Sequence, residues 1–306
     1  MERILVSGLT NIEITLQVEG FPIPYSPVRY PFFGVNSTVS GVGYNIATAL
    51  TTLGAPVAFL SIIGRDWAAR AVMEALAAAG IDGRRVVQGI AHTPQSVILY
   101  DREGRRAINL DLKDIQDQTY PPDGFAAALG ECALAVLCNV NFSRPMLREA
   151  RRAGKLVATD VHTISDLDDA YNRDFMQQAN ILFMSDERLP CPPEQWAGRV
   201  QQRYGNDIIV IGMGAEGALL AVRGDNFMER VPAVRVRPVV NTIGAGDALF
   251  SAFVYTYSQT RDPYTAIRKA VVFAGHKIGS RGAAEGFLSA GALEKLYREG
   301  LDPQSS

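Results

Sequence analysis

Asn241-Thr242-Ile243-Gly244-Ala245-Gly246-Asp247, followed at once by Ala248-Leu249-Phe250-Ser251-Ala252-Phe253-Val254-Tyr255, is the stretch on which the reading of this chain turns. The second run is apolar at nearly every position, so it reads as a helix meant for the interior. Glycines therefore stand at a helix start, where unpaired backbone N–H groups and the positive end of the macrodipole favour an anion. Asp247 falls in the first turn, beside that anion position. Phosphoryl transfer needs both parts: donors for the charge on the transferred group and a base for the attacking hydroxyl. The same residues also suit a plain helix start, with Gly246 making a tight turn and Asp247 complementing the dipole. The rest of the chain has to decide between the two.

Outward from this stretch, short apolar runs alternate with longer amphipathic ones. Ile4 to Ser7, Val57 to Ile62, Leu134 to Cys138, Leu156 to Asp160, Ile181 to Met184 and Ile208 to Ile211 read as buried strands, mostly followed by helical patterns such as Asp66 to Ala79 or Pro145 to Ala153. That alternation predicts an α/β fold: a doubly wound, mostly parallel sheet with helices on both faces. Two stretches break the rhythm. Glu13 to Val18 alternates as a strand does, and Ser96 to Tyr100 with Arg106 to Leu110 reads as a hairpin about Asp101-Arg102-Glu103-Gly104. With no helices to cover them, they are expected to form a small discontinuous β-sheet lid, inserted from about 12–36 and 92–112. The chain 1–306 is then a single domain, with a loose polar tail at Asp302 to Ser306.

Composition narrows the partners. The net charge is −2 and the basic residues are dispersed, which leaves no footprint for nucleic acid or an anionic membrane and makes a small molecule the default ligand. Cys132, Cys138 and Cys191 show neither metal spacing nor an even disulfide set, so a reducing cytoplasm is the expected compartment. Met1 leads directly into the strand-like run Arg3 to Gly8 rather than a leader, and no apolar stretch approaches a membrane span. His92, His162 and His276 lack ligand spacing and any neighbouring nucleophile signature. His162 alone follows a strand, where ligands gather in sheets of this class. Trp67 and Trp196 sit in amphipathic stretches and read as packing residues.

Gly212-Met213-Gly214-Ala215-Glu216-Gly217 spells the dinucleotide fingerprint after a strand. Ala218 to Val222 then continues as another strand instead of opening a helix, so a pyrophosphate would lack its helix N-terminus. The run reads as a tight turn and not as a nicotinamide site.

With its flanking motifs, Asn241 to Asp247 resembles the C-terminal signature Asp-Thr-x-Gly-Ala-Gly-Asp of the ribokinase-like (PfkB-type) carbohydrate kinases, departing only at Asn241. Ser40 to Ala47 resembles that family's Gly-Gly-x-Gly-x-Asn-x-Ala element. Gly8 to Glu13 resembles its first strand and the turn ending in a substrate-binding acid, with Glu in place of Asp. Asp101 to Arg106 is similar to the lid hairpin, and Ala266 to Ala283 to the helix and Gly-Ala loop beside the nucleotide. The resemblance spans nearly the whole chain and implies an ATP-dependent phosphotransferase acting on a hydroxyl of a small sugar-type substrate. It implies Asp247 as general base, with Gly244, Ala245 and Gly246 as the anion hole. It puts Glu13, Gly41, Gly43, Asn45 and Asn141 on the substrate, and Gly212, Gly214, Gly217, Thr242, Gly244 and Gly246 on ATP. Gly41 and Gly43 also make sense from the residues themselves, as bare backbone against which a sugar ring can lie.

Mg2+ comes with the nucleotide, and the family's Asn-x-x-Glu element falls at Ser185-Asp186-Glu187-Arg188, leaving Glu187, or else Asp186 or neither, as a metal contact through water. A monovalent cation such as K+ is implied as well, though Asn241 removes a charge beside the anion loop. Two alternatives stay open. The acceptor is a nucleoside such as pseudouridine, for which Tyr30, Phe32 and Phe33 furnish an aromatic wall; or the chain is a catalytically weak ligand-binding relative, as Asn241 and the altered metal element would fit. Lid strands of this kind can also pair between subunits, giving a homodimer.

Overall fold

The computed structural model describes residues 2–301; the polar tail Asp302 to Ser306 lies outside the described residues. In chain order the strands are Arg3–Ser7 (β1), Asn11–Gln17 (β2), Val35–Ser40 (β3), Val57–Ile63 (β4), Val86–Gln88 (β5), Gln95–Tyr100 (β6), Arg106–Asp111 (β7), Cys132–Leu137 (β8), Leu156–Thr163 (β9), Ile181–Ser185 (β10), Ile208–Gly212 (β11), Ala218–Val222 (β12) and Phe227–Val231 (β13). The helices are Val42–Thr52 (α1), Trp67–Ala78 (α2), Pro122–Gly130 (α3), Arg144–Arg152 (α4), Arg173–Gln178 (α5), Pro193–Tyr204 (α6), Ala245–Thr260 (α7), Pro263–Lys277 (α8) and Ala290–Leu301 (α9).

The large sheet runs β13-β12-β11-β10-β9-β8-β1-β4-β5, parallel from β11 to β5, with β12 and β13 added antiparallel at one edge. Alternate side chains of each strand enter opposite cores. Ile4, Val6 and Val136 join α1, α2, α7 and α8 on one face, while Leu5, Ala135 and Leu137 join α3 to α6 on the other. Strands buried on both sides explain the continuous apolar runs seen in the sequence. Phe183 of β10 meets Phe250 and Phe253 of α7 edge-on, with ring centroids 4.8 and 5.2 Å apart, and these contacts seat α7 against the sheet. The N-terminus of α7 is thereby fixed near the carboxyl ends of the parallel strands.

A second, separate sheet has the order β3-β2-β6-β7, with β2 antiparallel to β3 but parallel to β6. Its register sets Glu13 opposite Thr38 and Ser96, Ser96 opposite Leu110, and Ile98 opposite Ile108, so these side chains share one face. That face meets the loop before α7, since Ile98 is buried with Ile243 and Ala283. The other face is not bare, contrary to the expectation of strands without covering helices. Ile12, Ile14 and Val39 are apolar and pack on the α1–α2 core, and α2 lies against β2 and β3. Toward its free edge the sheet does expose apolar side chains, among them Val35, Val97, Ile108 and Leu110.

Trp196 is buried as a packing residue should be, but Trp67 corrects its expectation. It opens α2 and remains 65% exposed. No helix among the described residues is long and apolar enough to cross a membrane.

Candidate active site

Two chain elements converge on Asp247. The first is the turn from Asn241 into α7. Gly244 caps the helix in the left-handed region at φ 76°, and Ala248 N–H is the first to bond back along the helix, to the Gly244 carbonyl at 3.0 Å. The N–H groups ahead of it have no intrahelical acceptor. Ala245 N–H is nevertheless engaged, donating to the Thr242 carbonyl at 3.1 Å, which leaves Gly246 and Asp247 as the residues of this helix start whose N–H groups lack an intrahelical acceptor.

The glycines of this loop differ in their duties. A Cβ on Gly244 would fall 2.6 Å from the Ala283 carbonyl oxygen, so this glycine answers to a left-handed turn packed on backbone. A Cβ on Gly246 would meet nothing within 4 Å, and that is the position left open to a ligand.

The second element is the β3–α1 turn. Asn45, buried in the first turn of α1, donates from Nδ2 to Asp247 Oδ2 at 2.7 Å, and Ser40 Oγ lies 3.2 Å from Asn45 Oδ1 and 3.0 Å from Glu13 Oε2. Glu13 of the small sheet is thus connected through Ser40 and Asn45 to the acid at the start of α7. Glu13 Oε1 is buried without a partner. Gly41 and Gly43 have a packing reason of their own. A Cβ on Gly43 would stand 2.4 Å from the Gly8 carbonyl carbon and one on Gly41 2.6 Å from the Leu9 carbonyl oxygen, so both allow α1 to start hard against the β1–β2 turn.

Burial dominates the electrostatics here. It raises the pKa of Asp247, opposed by the Asn45 hydrogen bond, by His162 and by Lys277, while Asp160 adds to the rise. It raises Glu13 too, against the Ser40 hydrogen bond, with Asp247 adding to the effect. Lys277, the last residue of α8, is wholly buried and donates from Nζ to the Ile243 carbonyl. Burial lowers its pKa to about 8, against the pull of Asp247, Glu13 and Glu285. Sequence reasoning missed Lys277, because a cation in the last turn of a helix ordinarily just complements the dipole. Its signal was its place one turn after the apolar residues Val271 to Ala274 of the same helix. His162 and Asp160, at the end of β9, likewise lie within the field of Asp247.

The remaining candidates are held elsewhere or otherwise. Asn141 is engaged within its own loop: Nδ2 donates to the Gln116 carbonyl at 2.9 Å and Oδ1 accepts from Arg144 at 3.2 Å. Glu187 is exposed and paired with Arg106 of β7 at 3.3 Å, bridging the small sheet to the end of β10. Among the described residues no three His, Cys, Asp or Glu side chains gather as a metal site. Gly212, Gly214 and Gly217 form the turn between β11 and the antiparallel β12, and no helix opens after them. A Cβ on Gly217 would fall 2.1 Å from the Val231 carbonyl oxygen, whereas Gly214, at φ 53°, has open space. Tyr30, Phe32 and Phe33 are 76, 84 and 101% exposed, so they wall no pocket in this conformation.

Comparison with known proteins shows the family. The chain belongs to the pfkB family of carbohydrate kinases, whose family model matches residues 1–290. It is 24% identical over 273 residues to the acarbose 7(IV)-phosphotransferase of Actinoplanes sp., covering 88% of this chain and 89% of that protein. It is 25% identical over 292 residues to the 5-dehydro-2-deoxygluconokinase of Clostridium perfringens, covering 86% and 85%. Among solved structures, the microbiome-derived acarbose kinase Mak1 superposes with a TM-score of 0.87 at 26% identity, covering 97% of this chain and 99% of that one. The protein is an ATP-dependent carbohydrate kinase with the ribokinase-like fold.

Proposed function

We propose that this kinase moves the γ-phosphoryl group of ATP·Mg2+ to a hydroxyl of a sugar-type acceptor lying between the small sheet and the N-terminus of α7, with Asp247 as the base. The carrying observation is the 2.7 Å bond from Asn45 to Asp247, with Ser40 bridging Asn45 to Glu13. It joins an acid next to the anion loop to a second acid on the inner face of the small sheet. A hydroxyl placed between them would meet the base, and another hydroxyl of the same acceptor would satisfy the unpartnered Glu13 Oε1. The α7 N-terminus supplies Gly246 and Asp247 N–H groups to the transferred group, and in a site closed from water such donors act strongly. Thr242, Gly212 and Gly214 border the same end of the sheet and are assigned to ATP.

Mg2+ binds chiefly through the nucleotide phosphates and its own waters. Asp186, raised by burial and by the nearby Glu216 and Glu187 carboxylates, is better placed than Glu187 to accept from such a water, because Glu187 faces Arg106. The small sheet acts as a lid, closing through Ile98 on Ile243 and through Arg106 on Glu187.

A coupled ADP-release assay over a panel of sugars, sugar acids, oligosaccharides and nucleosides tests the reading. Turnover that depends on a sugar-type acceptor is expected. Release confined to nucleosides, or independent of every acceptor, would overturn it.

A further inference from the structure

Lys277 has no part in the chemistry above, yet it is fully buried and its ammonium donates to the carbonyl of Ile243, inside the loop that leads to Asp247. A lone ammonium is costly to bury unless it is paired and hydrogen-bonded. Its charged surroundings come from four elements: Asp247 on α7, Glu13 on β2, Glu285 in the loop after α8, and Arg106 on β7. Three of the four are carboxylates, and two of these are the acids placed on either side of the acceptor.

The same loop is where a monovalent cation would be expected to sit, and its residues do not fit one. Asn241 is neutral, and its amide is engaged at both ends, Nδ2 donating to the Arg281 carbonyl at 3.0 Å and Oδ1 accepting from Ile243 N–H at 2.9 Å. The Ile243 carbonyl, an oxygen that such a cation would want, already holds the ammonium.

We infer that Lys277 is a positioning residue whose ammonium serves as a built-in monovalent cation under the anion loop, so that the enzyme needs none from solution. A cation fixed by a covalent tether holds Ile243 and hence the α7 N-terminus in place, and offsets the negative charge of Asp247, Glu13 and the incoming phosphates. A salt ion would do the same only at its binding equilibrium.

The inference rests on the anion-loop reading above, which Asp247→Asn checks separately; the comparison of cations concerns Lys277 alone. Two readouts are taken in KCl, in tetramethylammonium chloride, and in the latter with methylammonium or ammonium added at equal ionic strength. One is the melting temperature and the other is acceptor-dependent ADP release. The wild type should show the same melting temperature and a rate within twofold in every salt. Lys277→Ala, which opens space for an ion, should lose at least tenfold in kcat with little change in either KM. It should regain several-fold, with a saturable rise in melting temperature, when ammonium, methylammonium or K+ is present. Lys277→Met, which keeps the volume but not the charge, should fold, lose kcat, and respond to none of them.

A wild type that K+ activates or stabilises saturably would overturn the inference, and so would Lys277→Met with a rate within twofold of wild type. Loss in Lys277→Ala that follows its melting temperature and answers to no cation would assign Lys277 to structure alone and also overturn it. If both variants fail to fold, the response of the wild type to K+ decides.

Discussion

The two sides of the proposed site are built on different terms. On the α7 side, Ala248 to Thr256 are buried without interruption, Phe250 and Phe253 are clamped by Phe183, and the left-handed Gly244 rests on Ala283. On the other side, the small sheet has buried polar groups at its base, Glu13 and Ser96, and exposed apolar ones toward its edge, Ile108 and Leu110. The side proposed to handle phosphate is therefore packed on a core, while the side proposed to meet the acceptor is buried at one end and exposed at the other. The difference teaches where each kind of specificity resides: transfer chemistry needs fixed donors, and acceptor choice needs a surface that can close on a ligand.

The largest effect should come from the packed side. Asp247→Asn keeps the hydrogen-bonding shape but cannot take a proton, so kcat should fall by about a hundredfold or more, with folding and ATP binding retained. The same acid governs pH dependence. Burial raises its pKa above the ordinary 3.8, so kcat should decline as pH falls through that raised value, with the acid limb above the range of an exposed aspartate. A profile flat down to pH 4, or turnover in the Asn variant within a few-fold of wild type, would remove Asp247 from the role of base.

On the acceptor side, Glu13→Ala should raise the acceptor KM by about tenfold to a hundredfold, the equivalent of one charge-assisted hydrogen bond worth about 1.5 to 3 kcal/mol, and leave the ATP KM almost unchanged. A variant that instead weakened ATP would mean that the two sides are not separate in function.

A smaller effect separates the two glycines. Gly244→Ala should cost about 1–3 kcal/mol of stability, since it places a Cβ at positive φ and against Ala283. Gly246→Ala should leave the melting temperature nearly alone, for its Cβ would enter open space, and should raise the ATP KM. Thermal melts and initial rates on the pair would reverse the assignment if Gly246 proved the destabilising site.

How far these features could be read from the sequence varies by element. The six apolar runs became β1, β4, β8, β9, β10 and β11, because strands buried on both faces leave an unmistakable composition. The β6–β7 hairpin was legible from Asp101 to Gly104, where Asp101 Oδ1 accepts from the N–H groups of Glu103 and Arg105. The parallel pairing of β2 with β6 was not, since a period of two says which face a residue takes and nothing about its neighbour strand. At the site, Asp247, Asn45 and Glu13 came from short motifs, and the structure brings all three together. The duties of Gly41, Gly43 and Gly244 were hidden because a glycine that makes room for backbone and one that makes room for a ligand look alike in sequence. The partners of Asn141 were hidden too, since Gln116 and Arg144 are set beside it only by folding.

The central claim is that the acceptor lies between these two sides and draws the small sheet over Asp247. Amide hydrogen exchange measured with ATP alone, with acceptor alone and with neither tests it most directly. The account predicts that acceptor slows exchange in β2, β6 and β7, and that ATP alone protects chiefly Gly212 to Gly217 and Gly244 to Asp247. Exchange in the small sheet that ignores the acceptor, or that responds to ATP alone, would contradict it.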